Sequence, residues 1–156
     1  MESTALLLAA TFNAGTVLAL AALGLLINEK AGIVNLGAEG MMLCAALAGF
    51  AAVVHTGSTA LGFVAGMGAG ALLAAIFGVL VIWLNTNQYA TGLALSLFGA
   101  GFSAFAGTGY VQHKLPEQVV FAIPVLSDIP FLGAALFRHH PTVYGCVALA
   151  LGLVWF

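Results

Sequence analysis

Two polar residues, Asn35 and Glu39, interrupt the otherwise apolar stretch GIVNLGAEGMML, residues 32–43. On an α-helix their four-residue spacing would place them on one face, about 6 Å apart along the axis. An ionised glutamate near the centre of a bilayer costs about 2.5 to 3.5 kcal/mol on insertion scales, so such a residue faces protein or water. The pair therefore predicts a polar lining for a translocation path.

A second interpretation of the same stretch stays open. Gly32, Gly37 and Gly40 weaken a helix. They favour an interfacial or broken segment in which Glu39 caps backbone amides at the start of a helix that begins near Gly40. This helix-start role fits the glycines better than the path-lining role.

Asn87 and Gln88 are a second polar pair, at the start of a later apolar segment. They either line a cavity or cap that helix, and capping is the favoured interpretation. The candidates for a substrate pathway are therefore Asn35, Glu39, Asn87 and Gln88.

Catalytic and metal-binding patterns are absent from the sequence. No nucleophile, base and orienting group occur together, no phosphate-binding loop is present, and the four histidines lack cysteine or acidic partners at metal-ligand spacing. We expect no metal site, no cofactor and no enzymatic activity in the chain itself.

The composition identifies the solvent of this chain as lipid. Hydrophobic residues make up 63% of the sequence and charged residues 5%, whereas about a quarter of the residues of a soluble domain are charged. Long unbroken apolar runs exclude the alternation of a membrane barrel, so the fold class is all-α. The net charge of −2 gives no basic patch for nucleic acid. Cys44 and Cys146 lie in apolar segments and are predicted to be buried, unpaired thiols.

Apolar segments follow one another along a single membrane domain, residues 1–156. We expect a polytopic helical bundle with about five of them, at 4–27, 31–54, 58–84, 88–111 and 142–156. Residues 112–141 hold all 4 prolines and form a non-spanning loop region, surface-lying or re-entrant. The last segment is too short to cross a bilayer, which predicts a truncated, N-terminal half of a larger protein.

The third segment carries small residues at every fourth position, which are Gly62, Gly66, Gly70, Ala74 and Gly78. Such a ridge allows close helix approach, on which association in lipid depends. The fourth segment carries a similar series, so the two segments are expected to pair as an antiparallel hairpin.

Three stretches together resemble a known family: EKAGIVNLGAEGMML (29–43), TNQYATGLALSLFGAGFSAF (86–105) and PVLSDIPFLGAALF (124–137). In order and spacing they are similar to the permease subunits of bacterial ABC importers for nucleosides and simple sugars, which are related to ribose and branched-chain amino acid permeases. The resemblance implies a multi-pass protein of the bacterial inner (plasma) membrane. It also implies an ATP-binding subunit, a second permease subunit and an extracytoplasmic substrate-binding protein as partners.

Two other functions stay open at this stage. A self-contained secondary transporter or channel would use Glu39 as its protonatable group. A non-transporting remnant would be consistent with the short fifth segment. The permease interpretation is favoured because three separate motifs support it.

Overall fold

The computed structural model describes residues 2–113, 121–122, 138–139 and 141–154. These residues are almost entirely helical, which confirms the predicted fold class. The elements in chain order are α1 (Glu2–Lys30), α2 (Ala38–Thr56), α3 (Thr59–Gly78) with a π-helical continuation (Val79–Trp83), α4 (Gln88–Gly107) with a 3-10 turn (Thr108–Tyr110), β1 (Phe121–Ala122), β2 (Arg138–His139) and α5 (Pro141–Val154).

Three of these helical stretches are long and apolar enough to cross a membrane, and they are Ala38–Thr56, Thr59–Trp83 and Gln88–Tyr110. They correspond to the second, third and fourth apolar segments of the sequence. The second begins later than its hydropathy suggested, because residues 31–37 form turns and irregular backbone ahead of the helix. Most of the 112–141 region lies outside the described residues, so its surface-lying or re-entrant character stays a prediction. Within that region β1 and β2 pair antiparallel, Phe121 with His139.

The chain divides into two compact units, Leu25–Pro116 and Met1–Gly24 with Glu117–Phe156. In the latter, the buried thiol of Cys146 on α5 donates to the carbonyl oxygen of Thr16 on α1 at 3.9 Å. Cys44, in Leu25–Pro116, is also buried and free. The prediction of buried, unpaired cysteines is therefore confirmed. The unit Leu25–Pro116, called the central unit below, contains all the candidate pathway residues.

Backbone hydrogen bonds end α1 sharply at Gly32, which has a φ of +80°. The Gly32 amide donates to the carbonyl of Glu29 at 2.9 Å, and the Ile33 amide donates to the carbonyl of Asn28 at 2.9 Å. This pair of bonds is a Schellman motif, in which a left-handed glycine satisfies the last carbonyls of a helix. It ends the helix, and the chain leads into the irregular segment ahead of α2.

Helix α2 is the middle helix of the central unit. On one side, glycines of α3 meet it in antiparallel order, Gly62 beside Val53 and Gly66 beside Ala45. On the other side α4 runs parallel to it, and Gly99 lies directly against Gly40. The buried core is formed by Met41, Cys44, Leu73 and Phe77.

The small-residue ridge of α3 meets α2 along only part of its length. A Cβ at Gly62 or Gly66 would lie 3.0 Å from a carbonyl oxygen of α2, and one at Gly70 would lie 3.7 Å from Ala45 Cβ. Ala74 is exposed, and nothing lies within 4 Å of a Cβ at Gly78. The expected pairing of α3 with α4 is minor, because both helices pack on α2 instead. Small residues on two sides of α2 make this possible.

The glycine contact between α2 and α4 makes a testable prediction about stability. A methyl group at Gly99 would collide with the backbone of Gly40, so Gly99→Ala should lower the free energy of unfolding by about 1–3 kcal/mol. Unfolding of the full-length protein in detergent, followed by circular dichroism during SDS titration, measures the change.

Gly101→Ala is the matched control on the same helix, because nothing lies within 4 Å of a Cβ there. It should be neutral or stabilise the protein by up to about 1 kcal/mol. Equal effects of the two substitutions would contradict the close approach of α2 and α4.

Candidate functional site

Asn35 organises the backbone just ahead of α2. Its side chain is 8% exposed. Its Oδ1 accepts a hydrogen bond from the Gly37 amide at 2.9 Å, and its Nδ2 lies 3.7 Å from the sulfur of Met41. Asn35 therefore precedes the helix, does not share a helical face with Glu39 and makes its bonds within the protein.

Asn87 and Gln88 serve the start of α4. Asn87 Oδ1 accepts hydrogen bonds from the amides of Tyr89 and Ala90, at 2.9 and 3.1 Å, which is the geometry of an N-cap. Gln88 Oε1 accepts a hydrogen bond from the Val34 amide at 3.1 Å. The side chain of Gln88 thus links the irregular segment before α2 to the first turn of α4.

The starts of α2 and α4 lie side by side because glycines meet there. A Cβ on Gly37 would lie 3.0 Å from the carbonyl oxygen of Gly92. Next to this contact, an open pocket of about 320 Å³ is bordered by the chain between α3 and α4 and includes Asn87 and Gln88 in its lining. The prediction that Asn35, Asn87 and Gln88 face a substrate path is not tested by these contacts and stays a prediction.

Glu39 differs from the other three candidates because they accept hydrogen bonds from backbone amides, whereas its exposed side chain does not cap a helix. It is the second residue of α2, which begins at Ala38 rather than near Gly40. The cap position is Gly37, and no side chain caps it. Within the described residues, the Glu39 carboxylate has no hydrogen bond or ion pair. The helix dipole favours a negative charge at this position, and the carboxylate is free to contact a ligand.

Within the described residues, the side of α2 that carries Glu39 faces neither α3 nor α4, apart from a contact of Phe50 with Tyr110 after the end of α4. Leu43, Ala46 and Phe50 follow Glu39 at helical spacing, so the four residues form one stripe. Leu43 and Ala46 are exposed and Phe50 is half-buried. We call these four residues the free face of α2.

A groove of about 300 Å³ lies between this face and α4. Phe50 meets Tyr110 edge to face, with ring centroids 6.2 Å apart. The hydroxyl of Tyr110 lies 3.1 Å from His55 Nε2 at the end of α2. Sequence reasoning missed this groove because apolar and aromatic residues within apolar segments carry no local signal of a site.

The arrangement offers contact surfaces and hydrogen-bonding groups rather than reactive ones. Within the described residues no three His, Cys, Asp or Glu side chains come together as a metal site. Two of the histidines contact a tyrosine, since the rings of His55 and His113 lie 5.9 and 6.1 Å from that of Tyr110.

Comparison with known proteins finds relatives that are all named as ABC transporter permeases. A family model described as the permease component of the branched-chain amino acid transport system matches residues 7–156. The chain is 44% identical over 160 residues to the putative glucose ABC transporter permease protein TsgC13 of Haloferax volcanii, covering 100% of this chain and 48% of that protein. No solved structure matches the chain.

Two further relatives are named for nucleosides. The chain is 31% identical over 170 residues to the guanosine ABC transporter permease protein NupQ of Bacillus subtilis, covering 100% of this chain and 52% of the relative. It is 28% identical over 155 residues to the nucleoside ABC transporter permease protein NupC of Lactococcus lactis, covering 90% of this chain and 48% of the relative. The chain spans about half the length of the curated relatives it matches.

The family match extends over nearly the whole chain, and the relatives are transport proteins rather than enzymes. Several membrane-length apolar helices agree with a multi-pass protein of the plasma membrane. The chain belongs to the family of permease components typified by the branched-chain amino acid transport system.

Proposed function

We propose that this chain forms part of the permease subunit of an ABC importer and contributes to the translocation pathway for nucleosides or simple sugars. The observation that carries the proposal is the similarity over the full chain to permeases named for glucose and guanosine. The permease performs no bond chemistry. ATP is hydrolysed by a separate ATP-binding subunit, and an extracytoplasmic binding protein delivers the substrate to a pair of permease subunits.

Glu39 is the polar residue that we place on the pathway. Its carboxylate is exposed and unbonded within the described residues, at the start of the free face of α2. A carboxylate accepts hydrogen bonds from the hydroxyl groups that sugars and nucleosides share. Asn35, Asn87 and Gln88 take a supporting role, since their bonds to backbone amides fix the starts of α2 and α4 beside it.

The proposed energy source is tested with the full-length protein in cells. Uptake of radiolabelled guanosine or glucose should be lost when the partner ATP-binding subunit is deleted or its nucleotide site is inactivated, because the permease has no energy source of its own. Unchanged uptake after deletion would contradict the ABC mechanism.

The role of Glu39 is tested by two substitutions. Glu39→Gln keeps hydrogen-bonding atoms and should retain most ATP-dependent uptake, because the substrate is uncharged. Glu39→Leu removes those atoms and should lower uptake about tenfold, the effect of losing one hydrogen bond to the substrate. A Leu variant with full uptake would remove Glu39 from the pathway, whereas loss of pH-dependent transport in the Gln variant would favour an ion-coupled transporter.

Asn35→Ala is the matching structural variant. It leaves the buried amide of Gly37 without its acceptor, so the free energy of unfolding should fall by about 1–3 kcal/mol. The full-length protein in detergent should therefore unfold earlier in an SDS titration. Glu39→Leu loses only a favourable charge at the start of α2 and should lower the free energy of unfolding by less than about 1 kcal/mol. Normal stability with lost uptake in Asn35→Ala would instead place Asn35 on the pathway.

A further inference from the structure

The groove between α2 and α4 is a different kind of site from the polar helix starts. Its volume of about 300 Å³ lies at the lower end of the range for small-molecule sites, about 300–1,000 Å³. Leu43, Leu47 and Phe50 line it from α2, and Ser103, Gly107 and Tyr110 line it from the side of α4. The small residues on the second side leave the space open.

An aromatic pair lies in the lining of this groove. The rings of Phe50 and Tyr110 are nearly perpendicular, at 83°, which is a favourable arrangement for two aromatic side chains. Tyr110 is also held by His55, whose ring lies 5.9 Å away and whose Nε2 is within hydrogen-bond distance of the tyrosine hydroxyl. Both rings are thus positioned before a ligand arrives, which lowers the entropy cost of binding.

The lining discriminates between the two substrate classes of the proposed function. A hexose carries hydroxyl groups all round its ring, and each one that leaves water without a partner costs free energy. The polar atoms of a base lie only on its edge, which an open groove leaves in water. The groove offers few polar partners, namely the hydroxyl of Ser103 and that of Tyr110, which is already placed against His55. A flat heterocyclic base, in contrast, stacks on aromatic rings and fits an apolar slot.

We propose that this groove is a nucleobase subsite, in which the base of a nucleoside contacts Phe50 and Tyr110 during its passage along α2. The inference rests on the proposed function and makes it more specific, because it selects nucleosides over hexoses. Glu39 precedes Phe50 by eleven residues on the same helix, about 16 Å along the axis. Its carboxylate would therefore meet the hydroxyl groups of the substrate at an earlier point of the passage, not while the base lies in the groove.

Uptake of radiolabelled guanosine and glucose tests the subsite, using the full-length importer with its partner subunits in cells that lack other importers for both. Phe50→Leu removes the aromatic ring and should lower guanosine uptake about tenfold, within the range for losing one stacking contact. Phe50→Tyr keeps a ring and should retain more uptake than Phe50→Leu. Immunoblots of membranes verify that the variants are present in equal amounts.

Gly107→Leu tests the same groove without removing a packed side chain. A Cβ at Gly107 would meet only Leu47 Cδ1, at 3.9 Å, so the larger residue fills the groove while the helices keep their places. Guanosine uptake should again fall about tenfold, as expected if the base loses its stacking contact. Phe105→Leu is the matched control, since Phe105 is 82% exposed on another face of α4, and its uptake should equal that of the wild type.

The outcomes separate this inference from the proposed function. The subsite is supported if the wild type imports guanosine and if this uptake falls in Phe50→Leu and Gly107→Leu but not in Phe105→Leu. If guanosine uptake is unchanged in Phe50→Leu and Gly107→Leu, the subsite is overturned and the proposed function stands. The same conclusion follows if the wild type imports glucose but not guanosine. A wild type that imports neither substrate overturns both.

Discussion

Close approach of helix backbones at glycine is the constraint on which the central unit depends. Lipid provides no hydrophobic drive between helices, so their association rests on van der Waals contact over closely fitting surfaces. Helix α2 satisfies this requirement twice, through Gly40 against Gly99 of α4 and through the side that meets Gly62 and Gly66 of α3. These contacts fix α2 between an antiparallel and a parallel neighbour, and among the described residues they leave the free face largely exposed.

The polar residues near the helix starts divide according to this packing. Where α2 and α4 begin side by side, Asn35, Asn87 and Gln88 satisfy backbone amides that the irregular chain and the first helical turns would otherwise leave open. Glu39 projects from the free face of α2 and accepts no hydrogen bond from a backbone amide within the described residues. A free carboxylate in an apolar environment is costly, which is why we assign a transport role to Glu39 rather than to its three polar neighbours.

Sequence reasoning predicted the helical class, the buried cysteines and, among about five apolar segments, the three that correspond to membrane-length helices. Composition and run length carry that information directly. The start of α2 was less predictable. Residues 31–37 are apolar apart from Asn35, so hydropathy gives no break there, whereas Gly32 and the side chains of Asn35 and Gln88 set the path of the chain. The partner of the α3 ridge was also not predictable. Small residues show that a helix packs closely, but they do not show which helix it meets, and the Phe50–Tyr110 contact joins residues far apart in the sequence.

The account depends most on the free face of α2 lining an aqueous substrate path. Single cysteines in the full-length importer, with Cys44 and Cys146 replaced by serine, test this through their reaction with a charged, membrane-impermeant methanethiosulfonate. A cysteine at Ala46, on the free face, should react with the reagent, and substrate should slow this reaction. A cysteine at Leu97, which is 76% exposed on α4, should face lipid and should not react. A cysteine at position 46 as unreactive as one at position 97 would contradict the account.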